Sequence, residues 1–130
     1  MSRNTIIGRR VHIAAKTFIS GGGDLIAEDY AGVAPRVNII TSTETLQNGS
    51  RASGPMVSAE QRDVLRGKVI LHKDSFVGAA ATLLPNVEIG EGSVIGAGAV
   101  ISKSTEDWGI YVGSRSQKIA IRERVKHLDN

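Results

Sequence analysis

Leu71-His72-Lys73-Asp74-Ser75-Phe76-Val77-Gly78 opens a run that continues to residue 105 as LHKDSFVGAAATLLPNVEIGEGSVIGAGAVISKST. Within it Leu71, Val77, Leu83, Ile89, Ile95 and Ile101 recur every six residues without a slip. Four places after each stands a small or β-branched residue: Ser75, Ala81, Val87, Ser93, Ala99 and Thr105. Glycine often follows the apolar residue directly, at Gly78, Gly90 and Gly96. A period of six fits neither the roughly 2-residue alternation of an open strand nor the roughly 3.6-residue turn of a helix. It fits a solenoid in which each unit is a short strand plus a corner. The first residue of a unit points inward, and so does the small one near the corner. Glycine after the inward residue is expected to accommodate unusual backbone angles.

The frame extends toward the N-terminus. Ile7, Ile13 and Ile19 start three units, with Val11, Thr17 and Gly23 at the small position. Ala27, Val33 and Ile39 start three more, with Ala31, Val37 and Thr43. A slip of two residues around Gly21, Gly22 and Gly23 reads as a corner insertion. Three units make one triangular turn, so the twelve units make about four turns. Strand-to-strand stacking at about 4.8 Å gives a prism on the order of 20 Å tall. A prism this narrow buries little surface alone, which favours self-association, and three-fold packing of its faces is the natural closed arrangement.

Composition agrees. The 130 residues are one domain's worth, with 41% hydrophobic and 22% charged side chains. Ile and Val total 26 against 7 Leu, a ratio that favours strands. No apolar run reaches the ~18 residues of a membrane span, and the first residues carry no secretion-signal pattern. Cytoplasmic residence is therefore the expectation. The absence of cysteine excludes disulfides, thiolate metal sites and cysteine nucleophiles. The net charge of +3 comes from Arg115, Lys118, Arg122, Arg124 and Lys126, outweighing Glu123 and Asp129. This basic tail is either a solvated surface or a patch for a small polyanion. With five aromatic residues and no nucleic-acid motif, nucleic acid is not an expected partner.

The segments Leu71-His72-Lys73-Asp74-Ser75-Phe76-Val77-Gly78, Leu84-Pro85-Asn86-Val87-Glu88-Ile89-Gly90 and Ile95-Gly96-Ala97-Gly98-Ala99-Val100 resemble the hexapeptide-repeat acyltransferases. Trp108-Gly109-Ile110-Tyr111-Val112-Gly113 looks like the end of the prism in members acting on sugars of bacterial surface polysaccharides. The resemblance implies an all-β, left-handed parallel β-helix, a homotrimer, and transfer of an acetyl group from acetyl-CoA to a sugar or sugar-nucleotide amine or hydroxyl. Carried over from the galactoside and maltose acetyltransferases, the cofactor groove falls on Phe76, Ala79, Ala97, Ser102 and Lys103, with Arg115 and Lys118 near it. Ala79 and Ala97 expose backbone groups to an amide-rich pantetheine arm, and Lys103 suits a phosphate. The family's usual Gly-x-Pro-Ala-Lys segment appears as Gly113-Ser114-Arg115-Ser116-Gln117-Lys118, so proline is lost and arginine gained.

The family's general base is a histidine before a long loop. Here that position is Glu44, and the position two residues earlier, histidine in related enzymes, is Ser42. Three readings stay open. Glu44 is the base, a weak one at an ordinary carboxylate pKa of about 4.3, which an amine acceptor tolerates better than a hydroxyl. Or His72, placed one turn above the Glu44 corner, supplies the base with Glu44 orienting it, within or across subunits. Or the chain is a non-catalytic β-helix trimer serving as a binding or assembly partner. His12 and His127 fall in other frames, so three histidines do not converge on a metal, and no metal site is expected. A nucleotidyltransferase would need a further nucleotide-binding domain and is disfavoured.

Residues 45–68 interrupt the repeat as a loop whose Arg51 and Arg62 could meet an acidic or phosphorylated acceptor. Its second half, from Ser58 with Gln61 three residues on, carries a capping pattern for a short helix ending at Gly67. Ile121, Val125 and Leu128 have helical spacing, which predicts a C-terminal helix over about 118–128 capping the prism's open edges. The first unit begins at Ile7, without the preceding helices of the galactoside enzymes, so acceptor recognition is not carried over from them.

Overall fold

The structure, a computed structural model, describes residues 4–127. The chain winds in successive coils of three short strands. The first coil is β1 (Asn4–Ile7), β2 (His12–Ile13) and β3 (Phe18–Ser20); the second is β4 (Asp24–Ala27), β5 (Gly32–Val33) and β6 (Asn38–Ile40). An insertion follows, with β7 (Ser42–Glu44) and β8 (Val64–Arg66). The third coil is β9 (Lys68–Leu71), β10 (Phe76–Val77) and β11 (Thr82–Leu83); the fourth is β12 (Glu88–Ile89), β13 (Val94–Ile95) and β14 (Val100–Ile101). β15 (Gly109–Val112) starts a fifth coil, and β16 (Gln117–Ile121) turns back on it.

Equivalent strands stack in parallel into three faces. The first face is β1-β4-β9-β12, the second β2-β5-β10-β13-β15, and the third β3-β6-β11-β14. Register shows the coil length directly: Thr82 pairs with Val100, eighteen residues on, as three six-residue units require. Phe18 pairs with Asn38, twenty on, so the two extra residues lie at the glycine corner.

The expected lining is observed over the second to fourth coils. Val33, Ile39, Leu71, Val77, Leu83, Ile89, Ile95 and Ile101 are fully buried, and Ala31, Val37, Ala81, Val87 and Ala99 fill the space near the corners. Each large side chain so buried is worth about 1.5–3 kcal/mol in transfer from water. Ile7 is exposed, and Ile13 and Ile19 are only partly buried, because among the described residues no coil stacks beneath theirs. At the second coil the small inward residue is Thr41 and not Thr43, which is exposed. The chain leaves the coil at β7; Thr41 Oγ1 donates to Ser20 O at 2.8 Å and accepts from Gly23 N at 3.1 Å.

The glycines after the inward residues serve a different purpose from the expected one. Positive φ falls instead on Asp74, Ala80, Asn86, Gly92 and Gly98, one per corner. Gly78 is needed because a Cβ there would lie 2.7 Å from both Ala97 N and Ile95 O, so the next coil could not approach.

Two predicted helices are strands. After Ser58, which makes no side-chain cap, a single 3-10 turn (Ala59–Gln61) leads into β8, antiparallel to β7. The tail forms β16, antiparallel to β15, after a reversal through Gly113 and Ser116, both at positive φ. β15 would otherwise present an unpaired edge, and a strand satisfies its backbone groups directly. Residues 122–127 are not helical, and Leu128 lies outside the described residues.

Candidate functional site

Three ridges run along the prism where the faces meet. The ridge between the second and third faces carries Ala79 and, one coil on, Ala97, linked by Gly98 N donating to Ala79 O at 2.8 Å. Both alanines are exposed. The Ala79 N–H and the Ala97 N–H and C=O have no hydrogen-bond partner among the described residues. Phe76 stands beside this ridge on the second face, 43% exposed, its ring lying over Gly32.

Across the third face, at the ridge it shares with the first, lie Ser102 and Lys103. The reversal at residues 113–116 is laid over β14: Val100 N donates to Gly113 O, and Ser102 N donates to Ser116 Oγ at 3.1 Å. Ser116 Oγ in turn donates to Val100 O. This seats Arg115 next to Ser102 without the family's proline. Lys103 and Arg115 are exposed and make no ion pair or hydrogen bond through their side chains among the described residues. Lys118 is placed elsewhere, on β16, paired with Glu106 at the ridge between the first and second faces.

The insertion leaves from the same ridge as Ser102 and Lys103, two coils earlier. Its antiparallel pair matches Ser42 with Arg66 and Glu44 with Val64, so these side chains share one side of the hairpin. Arg62 donates to Glu44 Oε1 through Nε at 3.2 Å and Nη2 at 2.7 Å. Glu44 Oε2 is buried without a hydrogen-bond partner among the described residues. Ser42 Oγ accepts from Gly22 N at 3.1 Å.

His72 is not on the Glu44 ridge. It follows β9 at the ridge between the first and second faces, so the length of β9 separates it from the insertion. Its imidazole bridges two other carboxylates, Nδ1 to Glu28 Oε1 at 2.9 Å and Nε2 to Glu88 Oε1 at 2.7 Å. Within one chain the Glu44–His72 pair therefore does not form. Partial burial of His72 opposes its charge, but the hydrogen bonds and charges of Glu88 and Glu28 outweigh this and raise its pKa. Glu28 was a missed partner, and the coil frame contained the signal: Glu28 follows inward Ala27 as His72 follows inward Leu71, and those two pair. Arg66, with its side chain over Gly22, was also missed. Arg51 and Arg62 lie in the same insertion, and nothing local in the sequence distinguishes Arg66 from them.

Among the described residues no group of three or more His, Cys, Asp or Glu side chains could hold a metal, and no helix is long and apolar enough to cross a membrane.

Residues 68–103 match the bacterial transferase hexapeptide (six repeats) family. The chain is 32% identical over 114 residues to dTDP-4-amino-4,6-dideoxy-D-glucose acyltransferase of Escherichia coli, covering 88% of this chain and 59% of that protein. It is similar to crystal structures of AntD, an N-acyltransferase from Bacillus cereus. A serine-to-cysteine variant in complex with dTDP-4-amino-4,6-dideoxyglucose and coenzyme A matches with TM-score 0.86 and 36% identity, covering 92% of this chain and 64% of that one. A serine-to-alanine variant in complex with the same two molecules matches with TM-score 0.82 and 34% identity, covering 95% of this chain and 72% of that one. A hexapeptide-repeat acetyltransferase from Vibrio cholerae shares the fold at TM-score 0.81 and 16% identity, covering 92% of this chain and 61% of that one. The chain thus spans about three fifths of the curated Escherichia coli relative. With six-residue units winding three-sided parallel coils and one-third identity to AntD across nearly its whole length, the chain belongs to the hexapeptide-repeat acyltransferases, whose fold is the left-handed parallel β-helix.

Proposed function

We propose that this chain is an acyl-CoA-dependent N-acyltransferase acting on an amino-sugar nucleotide, working as a homotrimer in the cytoplasm. The observation that carries the reading is the similarity over 92% of the chain to AntD in complex with an amino-sugar nucleotide and coenzyme A. The unpaired backbone groups of Ala79 and Ala97 support it, since a pantetheine arm offers amides to match them. Lys103 and Arg115, cationic and without side-chain partners among the described residues, suit the phosphates of the same molecule. Phe76 and Ser102 border that groove. Lys118, held by Glu106, is left out of this reading.

An amine acceptor fits the absence of a histidine at positions 42 and 44. A neutral amine attacks a thioester carbonyl without first losing a proton. The C–N bond forms, the C–S bond breaks, and the proton of the resulting ammonium leaves with the thiolate as free thiol. The chain's work is then to position two substrates and to donate hydrogen bonds to the carbonyl oxygen as it gains charge. Glu44, already bonded to Arg62, positions the insertion in this scheme. His72, bridged by two carboxylates and favoured in its charged form, is a poor proton acceptor.

The test is release of free CoA thiol from acetyl-CoA and from 3-hydroxybutyryl-CoA in the presence of dTDP-4-amino-4,6-dideoxyglucose, with mass spectrometry of the product. The expected result is a sugar nucleotide heavier by the acyl group, with the mass on nitrogen. Binding of acyl-CoA with no thiol release across a panel of amino and hydroxyl sugars would establish the alternative, a β-helix trimer that binds without catalysing.

A further inference from the structure

Arg66 is an exposed cation on the inserted hairpin. It is the last residue of β8, and its side chain lies over Gly22, whose added Cβ would come within 3.0 Å of Arg66 Nε and 3.5 Å of Arg66 Cδ. Gly22 is not at positive φ, so its bare backbone is explained by the arginine resting on it. Arg66 makes no ion pair or hydrogen bond through its side chain among the described residues. Its neighbour Arg62 is already matched by Glu44. The two arginines, with Ala59 and Val64, line a cavity of about 180 Å³ on the hairpin. That is room for several water molecules at about 30 Å³ each. Ser42, directly opposite Arg66 across the hairpin, has its hydroxyl oxygen fixed by Gly22 N.

From this arrangement we propose that the Arg62–Arg66 cavity is a diphosphate site, with Arg66 as the group that takes the anion. A planar guanidinium presents several donors to phosphate oxygens in a fixed fork, and here an exposed one lies over Gly22 with no anion to satisfy it among the described residues. The Glu44 carboxylate beside it is neutralised by Arg62, so the cavity keeps one uncompensated positive charge. Two molecules in the proposed reaction carry a diphosphate, the nucleotide of the acceptor and coenzyme A, and the identification of either as the occupant rests on that reading. The site itself requires only the shared chemistry.

Calorimetry on the full chain with inorganic pyrophosphate, dTDP, thymidine and CoA tests it. Pyrophosphate and dTDP bind the wild type with an affinity that falls as salt rises, and Arg66→Ala weakens both by about tenfold or more. Thymidine binding does not change, and Arg66→Lys keeps part of the affinity. If Arg66→Ala weakens dTDP and leaves CoA alone, the occupant is the acceptor nucleotide; the reverse assigns the site to CoA. Circular dichroism establishes that the variants fold, and Arg66→Gln replaces the alanine variant if it does not. A folded Arg66→Ala or Arg66→Gln that binds pyrophosphate, dTDP and CoA all like the wild type overturns the site, as does a wild type that binds none of the three. Arg66-dependent pyrophosphate binding in a chain with no acyl transfer keeps the site and discards the enzymatic reading.

Discussion

Arg62 and Glu44 clasp the two ends of the inserted hairpin, the guanidinium donating twice to one carboxylate oxygen at 3.2 and 2.7 Å. The other carboxylate oxygen is buried. A carboxylate engaged this way ties the start of the insertion to its end, so its removal should act on position and not on proton transfer. We expect Glu44→Gln, which keeps an acceptor for Arg62, to leave kcat within about threefold of wild type with an unchanged pH profile. Glu44→Ala should raise KM for the acceptor and lower stability by about 1 kcal/mol, read from urea unfolding. A fall in kcat of about a hundredfold in Glu44→Gln, with loss of the acid limb of the profile, would make Glu44 the base after all.

The His72 bridge predicts a pH dependence of stability. Its folded pKa is raised above the ordinary value of 6.5 by Glu88 and Glu28 against the opposing effect of burial. The folded state therefore binds the proton more tightly than the unfolded chain. The bridge contributes fully below about pH 6.5 and is lost as pH rises through the raised value, because the neutral ring can donate to only one of the two carboxylates. Thermal unfolding of His72→Gln and wild type should differ most near about pH 6 and converge toward about pH 9. A difference that is constant across that range would show that the folded and unfolded chains bind the His72 proton equally, and would refute the raised pKa.

Why the coil was legible and the insertion was not follows from which residues set each. Leu83, Ile89 and Ile95 are fixed by one local rule, repeated at a constant interval, so their burial could be read directly. Lys118, Ala120 and Ile121 obey no such rule. They pair with β15 because that strand's edge needs a partner, a demand made by residues up to a dozen positions away. The site divides in the same way. The stacking of Ala79 under Ala97 follows from the frame, whereas Glu44 choosing Arg62, eighteen positions on, depends on how the intervening residues fold back. His72 sits at the opposite end of β9 from the insertion because two corners that look equivalent in the repeat belong to different ridges of the prism.

The two kinds of glycine make opposite predictions. At Gly78 a Cβ would strike backbone of the next coil, Ala97 N and Ile95 O at 2.7 Å, where nothing can move aside without parting the coils. Gly78→Ala should cost about 1–3 kcal/mol. Gly98 has φ +72, yet nothing lies within 4 Å of an added Cβ, and Ala80 already holds φ 61 at the corner below. Gly98→Ala should cost about 1 kcal/mol or less, the strain offset by a stiffer unfolded chain. Denaturant midpoints of the two variants at matched m-values decide this, and equal losses would refute the close-approach account.

Lys103 and Arg115 give the last prediction. Both extend from the ridge at the top of the third face, with Arg115 brought there by Ser116 Oγ bridging Ser102 N and Val100 O. Neither has a side-chain partner among the described residues, so either can be removed without stranding a charge there. If they face the phosphates of an acyl-CoA, Lys103→Ala and Arg115→Ala should each raise KM for acyl-CoA by about fivefold to tenfold at low salt and leave kcat nearly unchanged, the pattern of lost uniform binding. The effect should shrink with added salt, as expected for exposed charges. Ser116→Ala, which frees the turn without touching a charge, should reproduce part of the Arg115→Ala change and none of the Lys103→Ala change. Lys118→Ala, which breaks the ion pair with Glu106 on another ridge, should leave KM for acyl-CoA unaltered, and a rise there equal to that of Lys103→Ala would move the phosphate contacts to the opposite side of the prism.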